Sequence, residues 1–260
     1  MLGSESRSPT PEFRPPSRES SSTKIDISSP RRRNPNWQEW YPPVPPKFEG
    51  VEIGKSLYGE PNQETLNLFS ELPIGANVLD VGGGDGRYAI PLAMMGHNVT
   101  VFDVDEAHLE RLEDNAAFLP EDAGRIKPLY ADATKEYPVK DKFDAVLSAG
   151  FAYLMPPDQL EPVFARMAEA VKPNGSLVVE FATDRVRRDK EGNLLIGGEE
   201  HSYTLQVGRE ILKKLYGESG LELHPTQEKE INLNTSFYDL NANLIIAHGN
   251  KNSNNVNSEI

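Results

Sequence analysis

From residue 51 onward, short apolar runs alternate with stretches whose apolar residues recur at helical spacing. Residues 62–72 place Leu66, Phe69 and Leu72 three apart, which predicts a helix. Residues 77–81 are a short apolar run ending in glycines and read as a buried strand. A helix over 87–95 and a strand over 99–102 follow. A second helix over 106–118 carries Leu109, Leu112 and Ala116 on one face. Residues 126–131 and 143–148 read as two more strands. Leu160, Val163, Phe164, Met167, Ala168 and Val171 fall on one stripe of a long amphipathic helix. Asp158 with Glu161 three residues on has the form of its capping box. Pro173, Asn174 and Gly175 predict a turn into a strand over 176–181. A last helix over 210–216 has Gly217 or Gly220 as its stop signal. Two β-rich stretches, 221–231 and 236–247, close the pattern, and the short link between them predicts an antiparallel last strand. Seven strands in βα alternation imply a doubly wound, Rossmann-like α/β fold. Its sheet is mostly parallel, with helices on both faces.

Composition changes this picture mainly at the ends. Residues 1–50 hold 10 of the 21 prolines and 9 serines, with few aliphatic residues. Such a segment buries too little apolar surface to offset the entropy of ordering, so it reads as a disordered or partly docked extension. Trp37, Trp40 and Tyr41 beside a proline run suggest that residues 36–47 pack on the body, as part of a lid. The domain is expected over 51–249, with a disordered tail over 250–260. No apolar run is long enough to span a membrane, and no secretory signal is visible, so a cytoplasmic protein is expected.

The net charge is −13. The first 50 residues carry 8 basic and 6 acidic side chains, so the body is more acidic than the whole. An acidic body argues against a nucleic-acid partner, because phosphate binding needs a basic surface. The absence of Cys excludes disulfides, thiolate metal sites and a cysteine nucleophile. The five His show no metal-ligand spacing, so no metal is expected.

The candidate chemistry lies at the ends of the first strands. Asp80-Val81-Gly82-Gly83-Gly84-Asp85-Gly86 leaves strand one and opens a helix. Glycines there permit positive φ and close approach of the backbone to a ligand. In an open α/β sheet, ligands bind at the carboxyl ends of strands where the strand order reverses. The spacing is acidic-x-Gly-x-Gly-x-Gly, with Arg87 three residues past Gly84, and not the dinucleotide GxGxxG. The acids Asp85, Asp105 and Glu106 read as solvated or helix-N-terminal groups.

These motifs, in this order, resemble those of class I S-adenosylmethionine-dependent methyltransferases, and more closely the small-molecule branch. VLDVGGGDGRYAIPLA resembles the family's first motif and VTVFDVDEAHLERLEDNA its second. YADATKEYP resembles the third, and KFDAVLSAGFAYLMPPDQLEPVFARMAEAVKPNGSLVVEF the fourth with its helix and fifth strand. The resemblance implies S-adenosylmethionine as cofactor. Asp80, Gly82, Gly84 and Gly86 would then surround its methionine portion. Asp103 with Val104 would take the ribose, Asp132 with Ala133 the adenine, and a carbonyl of Ala149 or Gly150 the amino group.

The implied reaction is methyl transfer to a small-molecule acceptor, a metabolite or natural-product intermediate. A protein or peptide methyltransferase, or a non-enzymatic cofactor-binding subunit, are the alternatives. The acceptor wall is expected from the region around Tyr58, from 151–155 and from an inserted segment over 183–207. That segment holds Arg185, Arg187, Arg188, His201 and Tyr203. Tyr153 and His201 are the candidate catalytic residues, and Tyr238 is expected in the core.

Overall fold

The computed structural model describes residues 55–135, 137, 140–195, 203–235 and 238–252. Within them lie helices α1 (Gln63–Phe69), α2 (Ala89–Met94), α3 (Glu106–Ala116), α4 (Pro157–Ala170) and α5 (Leu205–Glu218). The strands are β1 (Asn77–Val81), β2 (Asn98–Asp103), β3 (Ile126–Tyr130), β4 (Phe143–Ala149), β5 (Val171–Arg188), β6 (Leu221–Leu223), β7 (Gln227–Asn234) and β8 (Asp239–Lys251). They form one sheet in the order β3-β2-β1-β4-β5-β8-β6, with β7 also paired to β8. Strands β1 to β5 are parallel. Strand β8 is antiparallel to β5, β6 and β7. The order reverses between β1 and β4, the switch point where such sheets open a crevice.

Period-two alternation divides the core between the two faces of the sheet. Val78, Val99 and Val101 pack with Leu66, Phe69, Leu92, Leu109 and Leu112, which come from α1, α2 and α3. Leu79, Val81, Val146 and Val179 pack with Val163, Phe164, Met167, Leu212 and Leu215, which come from α4 and α5. The expected α/β fold with helices on both faces is present.

The details depart from the pattern in five places. There are eight strands where seven are expected, because the stretch 221–231 divides into β6 and β7. Pro225 lies in the gap and has no N–H for the ladder. Just before it, the His224 N–H donates to the His248 carbonyl at 2.9 Å. Second, β5 continues past Phe181 to Arg188 where an inserted loop is expected. Third, Asp158 does not cap α4. Proline's fixed φ suits a first turn, so the helix starts at Pro157 and Asp158 stands inside that turn. Fourth, α5 begins at Leu205, with the Thr204 hydroxyl accepting from the Val207 N–H. In that first turn Gln206 and Val207 are exposed, Leu205 is half-buried and Gly208 is buried. Last, Asn250 and Lys251, placed at the start of the expected tail, belong to β8 and pair with Ser176 and Leu221.

Residues 253–260, the N-terminal extension and the aromatic segment 36–47 lie outside the described residues. Among the described residues, no helix is long and apolar enough to cross a membrane. None of their His, Asp or Glu side chains form a group that could hold a metal ion.

The antiparallel end of the sheet is tied to α5 by one hydroxyl. Tyr216 is fully buried, and its OH donates toward the carbonyls of Leu177 at 3.1 Å and Ala247 at 3.0 Å. Tyr216→Phe keeps the ring and removes the donor. It should lower stability by about 1–2 kcal/mol, read as a lower urea midpoint at unchanged slope.

Candidate functional site

At the switch point a cleft, partly open to solvent, lies over the ends of β1, β4 and β5. Asp80 and Gly82, Gly83 and Gly84 contribute from β1 and its following turn. Ala149, Gly150 and Tyr153 contribute from the end of β4 and the single 3-10 turn after it. Arg185 and Arg187 come from the extension of β5, and Tyr238 and Leu240 from the start of β8.

Asp80 is 1% exposed. Neither of its carboxylate oxygens has a hydrogen-bond partner among the described residues. Burial pushes its carboxyl up to about 7, although the charge of Arg87 pulls the other way. The turn above it is shaped by its glycines. A Cβ at Gly83 would lie 2.7 Å from the Asp80 carboxyl, and one at Gly82 would lie 2.6 Å from the Phe151 side chain. Gly84, at φ +55, faces the Tyr58 ring across an open gap. Gly86 is different: its Cβ would meet Leu112 of α3 at 2.5 Å, and it does not line the cleft. It is needed for packing the turn on α3.

The remaining expected cofactor residues lie beyond the cleft's lining, at the ends of β2 and β3. Asp103 accepts from the Gly84 N–H at 2.9 Å and from the Asp105 N–H at 2.9 Å. It thereby ties the glycine turn to β2. Val104 follows it, half-buried. Asp132 accepts from the Thr134 N–H and hydroxyl, and Lys135 lies 2.9 Å away. Burial opposes its ionisation, but those hydrogen bonds and the Lys135 charge outweigh it and hold the carboxyl below its usual value. Ala133 beside it is buried.

Asp105 caps α3 and Glu106 stands in its first turn, as expected. Asp85 does not follow that expectation. It is fully buried and accepts from the Ser56 hydroxyl at 2.7 Å and the Leu57 N–H at 2.6 Å. Arg111 lies 3.4 Å from it and donates to the Lys55 carbonyl. These bonds strap the segment before α1 across the glycine turn and place Tyr58 in the cleft wall. The Tyr58 hydroxyl is 2.7 Å from His108 Nε2. Burial lowers the His108 pKa, but Asp103, Asp105 and Asp85 outweigh it and raise it overall.

Tyr153, one of the two catalytic candidates, lines the cleft with the Arg185 guanidinium 4.6 Å over its ring. His201, the other catalytic candidate, lies outside the described residues. Tyr203 turns away from the cleft into the core and donates to the Met155 carbonyl. Arg188 likewise stays outside, bonded to the Gly192 carbonyl. Tyr238 packs against the core, as expected, and also lines the cleft under the Arg187 guanidinium at 5.0 Å.

A β-bulge aims the two arginines. Glu180 and Ala182 pair with Ile246 and Leu244, on the face of α1 to α3. Strict alternation would turn Arg185 and Arg187 to the opposite face. One extra residue between Thr183 and Val186, with Asp184 at φ 50, inverts the alternation. Arg187 therefore pairs with Leu240 and faces the cleft.

Arg87, Tyr88 and Glu180 were not singled out by the sequence. Glu180 accepts from Thr65 at 2.5 Å and from Tyr88, and lies 3.8 Å from Arg87. The signal available was Arg87 in the place where a dinucleotide fingerprint has glycine.

A mostly parallel sheet, a glycine turn after β1 and acids at or just past the ends of β1, β2 and β3 give an α/β domain with its cleft at the switch point. Residues 78–175 match a family model described as a methyltransferase domain. An uncharacterized methyltransferase of Mycobacterium tuberculosis is 38% identical over 123 residues, which cover 46% of this chain and 58% of that protein. The chain thus spans less than two thirds of this curated relative. Among solved structures, a SAM-dependent methyltransferase from Methanosarcina mazei has a TM-score of 0.59 at 18% identity, covering 74% of this chain and 99% of that one. Magnesium protoporphyrin IX methyltransferase from Synechocystis, solved with bound SAM, has a TM-score of 0.51 at 17% identity, covering 70% and 76%. Residues 78–175 thus match a methyltransferase domain, and the fold is similar to that of S-adenosylmethionine-dependent methyltransferases.

The raised pKa of Asp80 has a stability consequence. Below the ordinary value of 3.8, folded and unfolded chains are both protonated and the effect vanishes. As pH rises toward about 7, the unfolded chain ionises while the folded one resists, so stability falls. Asp80→Asn removes this titration. Relative to the native chain without ligand, it should gain roughly 2–4 kcal/mol of stability between pH 4 and pH 8. Urea midpoints across that range check it; parallel pH profiles for the two proteins would refute it.

Proposed function

We propose that this chain is an enzyme that transfers a methyl group from S-adenosylmethionine to a small-molecule acceptor. The observation that carries the reading is Asp80. A buried carboxylate without hydrogen-bond partners is costly and calls for a cation beside it. The glycine turn packs directly against it without side chains, and beyond Gly84 the nearest atoms, of the Tyr58 ring, would stand 3.7 Å from a Cβ. Such a cradle suits a ligand with positive charge at its amino acid end, as S-adenosylmethionine has. When bound, that cofactor supplies a methyl group already activated on a sulfonium sulfur.

The chain's own residues then have definable tasks. Asp80 supplies negative charge in a site of low dielectric, where it acts strongly. Asp103 and Asp132 offer acceptor oxygens at the ends of β2 and β3 for the nucleoside's hydroxyl and amine donors. Tyr58, held by the Asp85 strap, closes the cleft above Gly84 and limits water. Tyr153 stands on the acceptor side, within reach to orient a second ligand. Because the donor is activated, much of the remaining work is alignment. The concave shape of the cleft, with apolar and polar groups converging on it, supports a small-molecule acceptor over a protein chain. A cytoplasmic location is part of the same proposal.

Calorimetric titration should show saturable S-adenosylmethionine binding that Asp103→Ala weakens roughly 10- to 100-fold, the loss expected for charge-assisted hydrogen bonds. A screen of small acceptors by S-adenosylhomocysteine release then tests turnover. Saturable NAD binding without any response to S-adenosylmethionine would overturn the reading.

A further inference from the structure

Away from the cleft, a second groove gathers positive charge on an acidic protein. It lies between the connection from β3 to β4 and the C-terminal half of α4. Tyr137, Lys140, Asp141 and Lys142 line it from the connection, and Arg166 and Glu169 from the helix. None of these residues lines the switch-point cleft. The chain has a net charge of −13, yet the described residues of this groove bring three cationic side chains against two carboxylates. Lys142 donates to the Glu169 carbonyl and lies 3.4 Å from its carboxylate, so that acid is already paired. Arg125 and Lys127, both exposed, line an adjoining groove that shares Asp141 and Lys142.

Two buried donors in this groove have nothing to donate to. The Tyr137 hydroxyl and Arg166 Nη1 are buried, and neither has a hydrogen-bond partner among the described residues. Lys140 stands exposed at the rim, and no hydrogen bond or ion pair engages it among the described residues. The Tyr137 ring is held edge-on against Phe102, with ring centroids 5.1 Å apart. Burial pushes the Tyr137 pKa up, although the Arg166 charge pulls the other way, so the hydroxyl keeps its proton at neutral pH. An unpaired buried donor is costly, and two of them in one groove call for an acceptor. A water could accept from both but would leave the charges of Arg166 and Lys140 unmatched. An oxyanion supplies acceptor oxygens and negative charge together. Donors from two separate elements suit the spread oxygens of a tetrahedral anion better than a planar carboxylate.

We infer that this groove is a second ligand site, which takes a phosphate group through the Tyr137 hydroxyl, the Arg166 guanidinium and the Lys140 ammonium. The phosphate is free or the end of a small ester. The acidity of the rest of the chain disfavours a long polyanion. The inference goes beyond the cofactor reading and does not depend on it.

Calorimetric titration of the full chain with inorganic phosphate and with phenyl phosphate tests the site. Physiological ionic strength screens diffuse attraction. At least one of the two should bind saturably and more tightly than benzoate, and the tighter of them tells a free phosphate from an ester. Arg166→Gln and Lys140→Glu should each weaken that binding roughly 10-fold, and Tyr137→Phe roughly 3- to 10-fold. Lys140 is exposed, so its variant keeps the fold and decides if circular dichroism shows that either of the others does not. Saturating S-adenosylhomocysteine and Arg185→Gln, both directed at the cleft, should leave phosphate affinity within about threefold. A chain that ignores S-adenosylhomocysteine counts against the cofactor reading alone. No saturable binding of either phosphate, or binding no tighter than benzoate, overturns the inference. Binding that Arg185→Gln abolishes and Lys140→Glu leaves unchanged places the anion in the cleft and overturns it equally.

Discussion

The burial of the Asp80 carboxylate constrains everything around it. It stands in a central strand, between β2 and β4, with β1 packed on both faces. Leaving such a group without hydrogen bonds costs on the order of several kcal/mol, which the protein partly avoids by holding it protonated up to near neutral pH. The turn above must come close without a side chain, hence Gly83. It must also reverse direction quickly enough to open α2, hence the positive φ at Gly82, Gly84 and Gly86. Arg87 adds a compensating charge, and Glu180 fixes Arg87. A local rule is thus broken at one residue and supported by neighbours from β2, β5 and the first turn of α2, a pattern expected of functional sites.

Much of the scaffold was legible because its signals are periodic and local. The apolar runs of β1, β2, β3 and β4 are short and uninterrupted, and the stripe on α4 is regular. Asp80 and the glycines are adjacent in sequence, so their joint meaning is visible there. What failed to show depends on partners far along the chain. Asp85 looks like any loop acid, because its donors, Ser56 and Leu57, lie 29 and 28 residues upstream. Glu180 sits in an apolar strand and is explained by Thr65, 115 residues away. The β5 extension was hidden by its own bulge: one extra residue breaks the period of two, and a strand with a broken period reads as a loop.

That same bulge lies in a wall of the cleft that is built apart from the glycine turn. The parallel strands end at the cleft floor. The antiparallel extension of β5, β8 and β7 continues past them and supplies a wall. Changing side chains along this extension alters the wall without disturbing the glycine turn or the acids at β1, β2 and β3. The division explains why motif order speaks to the cofactor and is silent on the acceptor.

The strap before α1 joins the two sides. Asp85 holds Ser56 and Leu57, and Arg111 holds Lys55, so Tyr58 cannot leave the cleft without releasing buried hydrogen bonds. Its hydroxyl meets His108, whose other ring nitrogen lies 3.8 Å from Asp103. Asp103 in turn holds the Gly84 N–H. A ligand that draws on the Asp103 carboxylate therefore competes with the bond that sets the glycine turn and alters the charge facing His108. Through His108 the change reaches Tyr58, directly over Gly84. The covering residue and the floor are thus coupled by one continuous polar chain, and no motion of a whole domain is needed for one to respond to the other.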